Sequence, residues 1–215
     1  SIEEICRKYK IIDYTINEDG SIDVDGSVDL DYCKLTKLPL KFGVVTLDFY
    51  CRNNQLTTLE GSPESVGGNF NCNGNNLTDL KGSPESIGGG FYCRNNQLTT
   101  LEGSPESVGR GFHCSINKLT SLEGSPESVG GDFDCRNNQL TSLEGSPDSV
   151  GGEFYCSNNP IGSIFDFVDI DFIRAFNTFK VLNDGIVNLK RLKYVMEMFD
   201  LPINIEDIKK YYTIK

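Results

Sequence analysis

Six cysteines recur at a fixed step of 21 residues: Cys51, Cys72, Cys93, Cys114, Cys135 and Cys156. Thiols at regular spacing can bridge in pairs, hold a soft metal, or act as thiolate nucleophiles. This pattern suits none of the three. No C-x-x-C pair occurs, the single histidine is His113, and one thiol per repeat at one slot stacks beside its neighbours instead of facing a partner. The cysteines therefore read as small buried hydrophobes of a reducing compartment. Cys6, outside the array, reads as packing at the N-terminal end. No metal and no cofactor are expected.

Other chemistry-bearing patterns also resolve into structure. The acidic stretch from Asp19 to Asp31 invites a calcium loop. Setting Gly26 at the sixth loop position puts Ser21 first and Tyr32 twelfth, so both end ligands fail. Alternation of Asp with Ile22, Val24, Val28 and Leu30 is instead the pattern of a half-solvated strand. Glycine pairs and the run Gly88–Gly90 lack the Lys-Ser/Thr of a phosphate loop and recur once per repeat, as corners do. With one histidine, no Ser-His-Asp or Cys-His set is possible. A carboxylate-only enzyme is the remote alternative. Asn54, Asn75, Asn96, Asn117, Asn138 and Asn159 keep the 21-residue step; a buried amide must be hydrogen-bonded, so they are expected to bond the backbone along the stack.

The elements that position these residues follow from the same period. Phe49, Phe70, Phe91, Phe112, Phe133 and Phe154 precede the cysteines by two residues, and Pro63, Pro84, Pro105, Pro126 and Pro147 mark a turn in each unit. Phe49 and Cys51 alternate with Asp48, Tyr50 and Arg52, a short strand with one buried face. Leu56 and Leu59 point back inward, and Gly and Pro supply the corners. A degenerate unit comes first, with Val28 and Leu30 in the Phe and Cys slots and Cys33 in the Asn slot. A single unit cannot bury its own apolar residues. Stacked units can, strand on strand at about 4.8 Å.

The run FYCRNNQLTTL, residues 49–59, resembles the leucine-rich repeat pattern L-x-L-x-x-N-x-L-x-x-L. The 21-residue period resembles the short class found in bacterial pathogen effectors and in arrays encoded by bacteriophages. The likeness covers residues 28 to about 164, with Phe and Cys replacing the usual Leu pair. It implies a β-rich solenoid, with a parallel sheet on one face and a mostly extended, turning outer side. Three parts are expected: an N-terminal cap of helix plus hairpin over 1–27, a solenoid of about seven units over 28–164, and a C-terminal α/β cap over 165–215. In the C-terminal part, 168–178 shows helical spacing, Asp184-Gly185 signals a hairpin, Asn188 a helix start, and IEDIKKYY a last helix. A relative of the effector type would need a separate domain for ubiquitin transfer. The short tail without a cysteine after Cys156 does not supply one.

The chain has 215 residues and a formal charge of −11, from 20 Lys+Arg against 31 Asp+Glu. Such a charge repels phosphate backbones, so nucleic acid is not an expected partner. No apolar run reaches the ~18 residues of a membrane span, and the opening SIEEICRKYK lacks the apolar stretch of a signal peptide. A cytoplasmic setting is expected, that of the host if the protein is viral. Inward slots hardly vary between units and outward slots do, so specificity belongs on the outward strand face. The candidate partner-binding residues are Tyr50, Arg52, Asn71, Asn73, Tyr92, Arg94, His113, Asp134, Arg136 and Tyr155, and no catalytic residue is expected. Tyr and Arg are the usual interface anchors. Asp48, Asp132, Asp134 and Glu153 would steer in a partner with a basic patch. The expected function is non-enzymatic protein binding through a concave strand face, serving to inhibit or sequester a host protein. The alternative is a particle-decorating or oligomeric scaffold that uses its caps.

Overall fold

The computed structural model describes residues 1–165 and 167–215; position 166, inside the expected C-terminal cap, lies outside the described residues. The chain winds as a β-solenoid. Strands beginning at Val28, Phe49, Phe70, Phe91, Phe112, Phe133 and Phe154 pair in parallel, each Phe opposite the Phe one repeat on. Every one of these phenyl rings is fully buried. From Phe49 to Phe154 they form one stack, with adjacent ring centroids 5.0–5.6 Å apart and interplanar angles of 6–23°. That spacing is the strand repeat with a small offset, the arrangement that π-systems favour over direct overlap.

The outer side is extended enough to pair as well. Its Ser–Val dipeptides and their Ser–Ile counterpart (Ser65–Val66, Ser86–Ile87, Ser107–Val108, Ser128–Val129, Ser149–Val150) pair in parallel within a second sheet, which reaches eight strands with Phe42–Val45 and the N-terminal hairpin. In each dipeptide through Val129 the apolar residue turns in and is buried, while the serine stays partly exposed. The glycine after each Val or Ile sits directly over its predecessor. A Cβ on Gly88, Gly109, Gly130 or Gly151 would overlap the carbonyl oxygen of the glycine one coil earlier.

Both ends are covered, as a solenoid requires. At the N-terminus, helix α1 (Ile2–Tyr9) is started by a Ser1–Glu4 capping box. Cys6 is its deepest side chain, with Ile2 and Ile5 half-buried beside it. The hairpin Tyr14–Ile16/Ile22–Val24 then joins the outer sheet, with Ile22–Val24 parallel to Phe42–Val45. At the C-terminus, Phe165 packs edge-on against Phe172 and Phe176 of helix α2 (Ile170–Thr178). The hairpin Leu182–Asn183/Ile186–Val187 turns at Asp184-Gly185, both with positive φ, and Asn188 caps helix α3 (Leu189–Met198). The expected last helix is one short turn, α4 (Ile205–Ile208). The chain then ends as a strand, Thr213–Ile214, parallel to Ile186–Val187. Tyr212 Oη donates to Thr141 O at 3.0 Å and Arg174 Nη2 to Asp148 O at 2.6 Å, which fastens this cap to the solenoid.

Candidate functional site

The buried slots hold framework. All eight cysteines are free, and seven are buried; Cys33 is half-buried. Burial pushes the thiols of Cys51, Cys72, Cys93, Cys114 and Cys135 far above the ordinary thiol range. The Sγ atoms of Cys72, Cys93 and Cys135 each lie 3.2–3.5 Å from a carbonyl of the next coil, at Tyr92, His113 and Tyr155. These are inert packing groups. Iodoacetamide at pH 8 is accordingly expected to modify Cys33 slowly and leave the other seven untouched until denaturant is added. Fast native labelling of more than one thiol by mass spectrometry would contradict this packing.

The asparagine ladder is bonded as its period requires. In a representative coil, Asn96 Nδ2 donates to Cys72 O and Cys93 O, both at 3.1 Å, and its Oδ1 accepts from Leu77 N at 3.1 Å. Asn75 makes the same three bonds to Cys51, Cys72 and Leu56. Each amide thus clamps its own coil to the one before. The acidic stretch is used similarly: Asp23 accepts from Val44 N at 2.7 Å, Asp25 from Thr46 Oγ1 at 3.0 Å, and Asp31 from Arg52 N at 2.6 Å.

The outward slots of the Phe–Cys sheet bring the candidate residues into one surface. Asp29, Tyr50, Asn71, Tyr92, His113, Asp134 and Tyr155 lie side by side in register. Two residues on, Asp31, Arg52, Asn73, Arg94, Ser115, Arg136 and Ser157 form a parallel row. Tyr92 and His113 meet edge to face at 5.0 Å. Both rings lean back along their own strands over glycine: a Cβ on Gly90 would come within 2.6 Å of Tyr92 Oη, and one on Gly111 within 2.8 Å of His113 Nε2. His113 is half-buried, and desolvation lowers its pKa, partly offset by Asp134 and Asp132.

Asp134 departs from its expected place. It stands in an outward slot yet is 5% exposed, because Arg136 closes over it in a bidentate pair, Nε to Oδ1 at 2.9 Å and Nη2 to Oδ2 at 2.8 Å. Although burial opposes ionisation, these bonds from Arg136 hold the Asp134 carboxyl below its usual range. Arg136 in turn stacks over Tyr155 at 4.9 Å. Arg52 repeats the arrangement with different partners: its Nε donates to Asp31 at 2.6 Å, and the guanidinium lies 5.4 Å from the Tyr50 centroid. Asp31 was not among the expected site residues. Its position one repeat before Arg52, in the same slot, is the signal that finds it, since opposite charges directly across strands attract.

One residue past this row the backbone turns left-handed in every coil, at Tyr32, Asn53, Gly74, Asn95, Ile116, Asn137 and Asn158. Asn and Gly suit that region; a β-branched residue does not. Ile116 holds φ 57° and is 36% exposed, at the rim beside Ser115.

Among the described residues, no helix is long and apolar enough to cross a membrane. The chain matches no protein-family model, no curated protein and no solved structure.

Proposed function

We propose that this is a non-enzymatic protein-binding module of leucine-rich repeat type, which grips its partner with the outward face of the Phe–Cys sheet. The observation that carries the reading is the contrast between slots. Phe, Cys, Leu and Asn repeat coil after coil in the buried positions, while one outward row runs Tyr50, Asn71, Tyr92, His113, Asp134, Tyr155 on a continuous in-register surface. Packing dictates the first set and leaves the second free to encode recognition. Half-buried tyrosines held by stacked arginines present rigid, amphipathic contact area at small entropic cost. The resemblance to phage and effector arrays favours a role in holding a host protein inactive in the cytoplasm.

The test compares two surfaces. The double variant Tyr92→Ala/Arg94→Ala is expected to weaken binding of a partner captured from host lysate at least tenfold, with the thermal transition retained. Ser107→Asp, on the outer sheet, is expected to leave binding unchanged. Equal loss in both, or in neither, would overturn the assignment to this face. A scaffold reading draws on one feature: among the described residues the outer sheet ends at Ser149–Val150, which pairs there on one side only. Mass that grows with concentration in light scattering would favour end-to-end stacking.

A further inference from the structure

Three arginines stand in one row of the sheet face, and two are already satisfied within the chain. Arg52 is bonded to the carboxylate one coil earlier in its own slot, Asp31. Arg136 is bonded to the carboxylate two residues earlier on its own strand, Asp134. For Arg94, both of those positions are uncharged: Asn73 stands one coil earlier and Tyr92 two residues earlier. The Asn73 amide oxygen takes the Arg94 backbone N–H at 2.7 Å and leaves the guanidinium alone. Among the described residues no ion pair includes Arg94, and its side chain is exposed.

The ground around Arg94 is shaped as well. Ser115, beside it in the next coil, is small and 3% exposed, so no bulky outward side chain is rooted between Arg94 and Arg136. Gly90 and Gly111 leave bare backbone beneath the Tyr92–His113 pair. Ile116, held in its strained left-handed conformation, puts an apolar side chain on the rim where most other coils carry asparagine. An uncommitted guanidinium with a small neighbour and an apolar rim is complementary to an extended segment with an acidic group beside an apolar one.

We infer that the middle of the sheet face is a carboxylate-reading subsite, in which Arg94 binds an Asp, Glu or C-terminal carboxylate of an extended partner segment whose neighbouring apolar side chain rests on Ile116. This rests on the protein-binding reading and names the chemistry of its centre. A monoanion suits the site better than a phosphate dianion. The chain carries −11 overall, and Asp132 and Glu153 flank the sheet, so a second negative charge meets added repulsion. The acid would sit within an otherwise neutral or basic partner surface. A partner acidic throughout would be repelled, and one without the acid would leave Arg94 desolvated and unpaired.

The experiment screens the full chain against a synthetic library of random octapeptides, each made with a free and an amidated C-terminus. Peptides bearing Asp, Glu or a free terminus are expected to be enriched. Loss on amidation identifies the terminal carboxylate, and persistence with Asp or Glu identifies the side chain. Arg94→Glu should reverse the preference to Lys and Arg, a charge swap that misfolding cannot imitate. Ile116→Asn should raise the melting temperature by removing strain and still lower the affinity of enriched peptides at least threefold; unchanged affinity would remove Ile116 from the site. Enrichment that is lost in Tyr92→Ala but indifferent to Arg94→Glu would overturn the carboxylate inference and leave the face reading standing. No enrichment, or enrichment indifferent to both variants, would overturn the two together.

Discussion

Asn96→Leu is expected to cost on the order of 4 kcal/mol and to split the unfolding transition in two. The substitution nearly conserves volume, so the loss is one of hydrogen bonding. It strips donors from the Cys72 and Cys93 carbonyls and an acceptor from the Leu77 N–H, all facing the buried interior. The Leu77 N–H is left unpaired, at about 1–3 kcal/mol, and the Cys72 and Cys93 carbonyls keep only the donors from Asn75 and Asn117, each lost bond costing about 0.5–1.5 kcal/mol more at this coil-to-coil junction. In a stack where each unit touches its neighbours alone, weakening one junction uncouples the two sides. Urea denaturation followed by circular dichroism should show a broadened or biphasic curve, and hydrogen exchange should show the Leu77 amide losing protection. A single unshifted transition would mean that the amides do not couple the coils.

Gly109→Ala is expected to be nearly as severe, at about 3 kcal/mol. The reason is geometric. The added methyl would overlap the Gly88 carbonyl oxygen, which is backbone and has no rotamer to move into. Relief requires the outer strands Ser86–Ile87 and Ser107–Val108 to separate, which breaks the second sheet at its middle. Gly185→Ala provides the contrast. Nothing lies within 4 Å of the new methyl, so the cost is confined to the positive φ of 73°, about 1 kcal/mol. If the two variants melt together, the close approach of successive glycines is not what sets the outer-sheet spacing.

The architecture was legible because the period repeats so many times. Phe, Cys and Leu at fixed slots identify the buried side of each coil, and asparagine at a fixed slot implies a bonded amide in each. The second sheet was harder to read. Its strands are two residues long, too short for alternation to register, and Ser-Val between Pro and Gly-Gly reads equally well as a bend. Its regularity comes from stacking, which places equivalent backbone groups at strand spacing whatever the local preference. The terminal strand Thr213–Ile214 escaped for a related reason: its pairing with Ile186–Val187 is a contact between distant segments of the cap.

The face itself was legible as a place and less so as a set of charges. Alternation put Asp134 outward, and so it is, but the neighbouring arginine covers it. Slot arithmetic carried one step further separates the arginines. Asp31 stands 21 residues before Arg52, and Asp134 two before Arg136, whereas Asn73 and Tyr92 occupy those places for Arg94. The left-handed backbone at Ile116 could be inferred from the Asn and Gly in the equivalent positions of other coils, since a slot filled by Asn and Gly is one where φ is positive.

The asparagine clamps all reach the same way, from each coil to the one that precedes it. Asn75 bonds Cys51 and Leu56, and Asn159 bonds Cys135 and Leu140. A newly made winding therefore finds its partners in chain that has already left the ribosome. Assembly can advance in the direction of synthesis, one winding at a time, without waiting for the distal end.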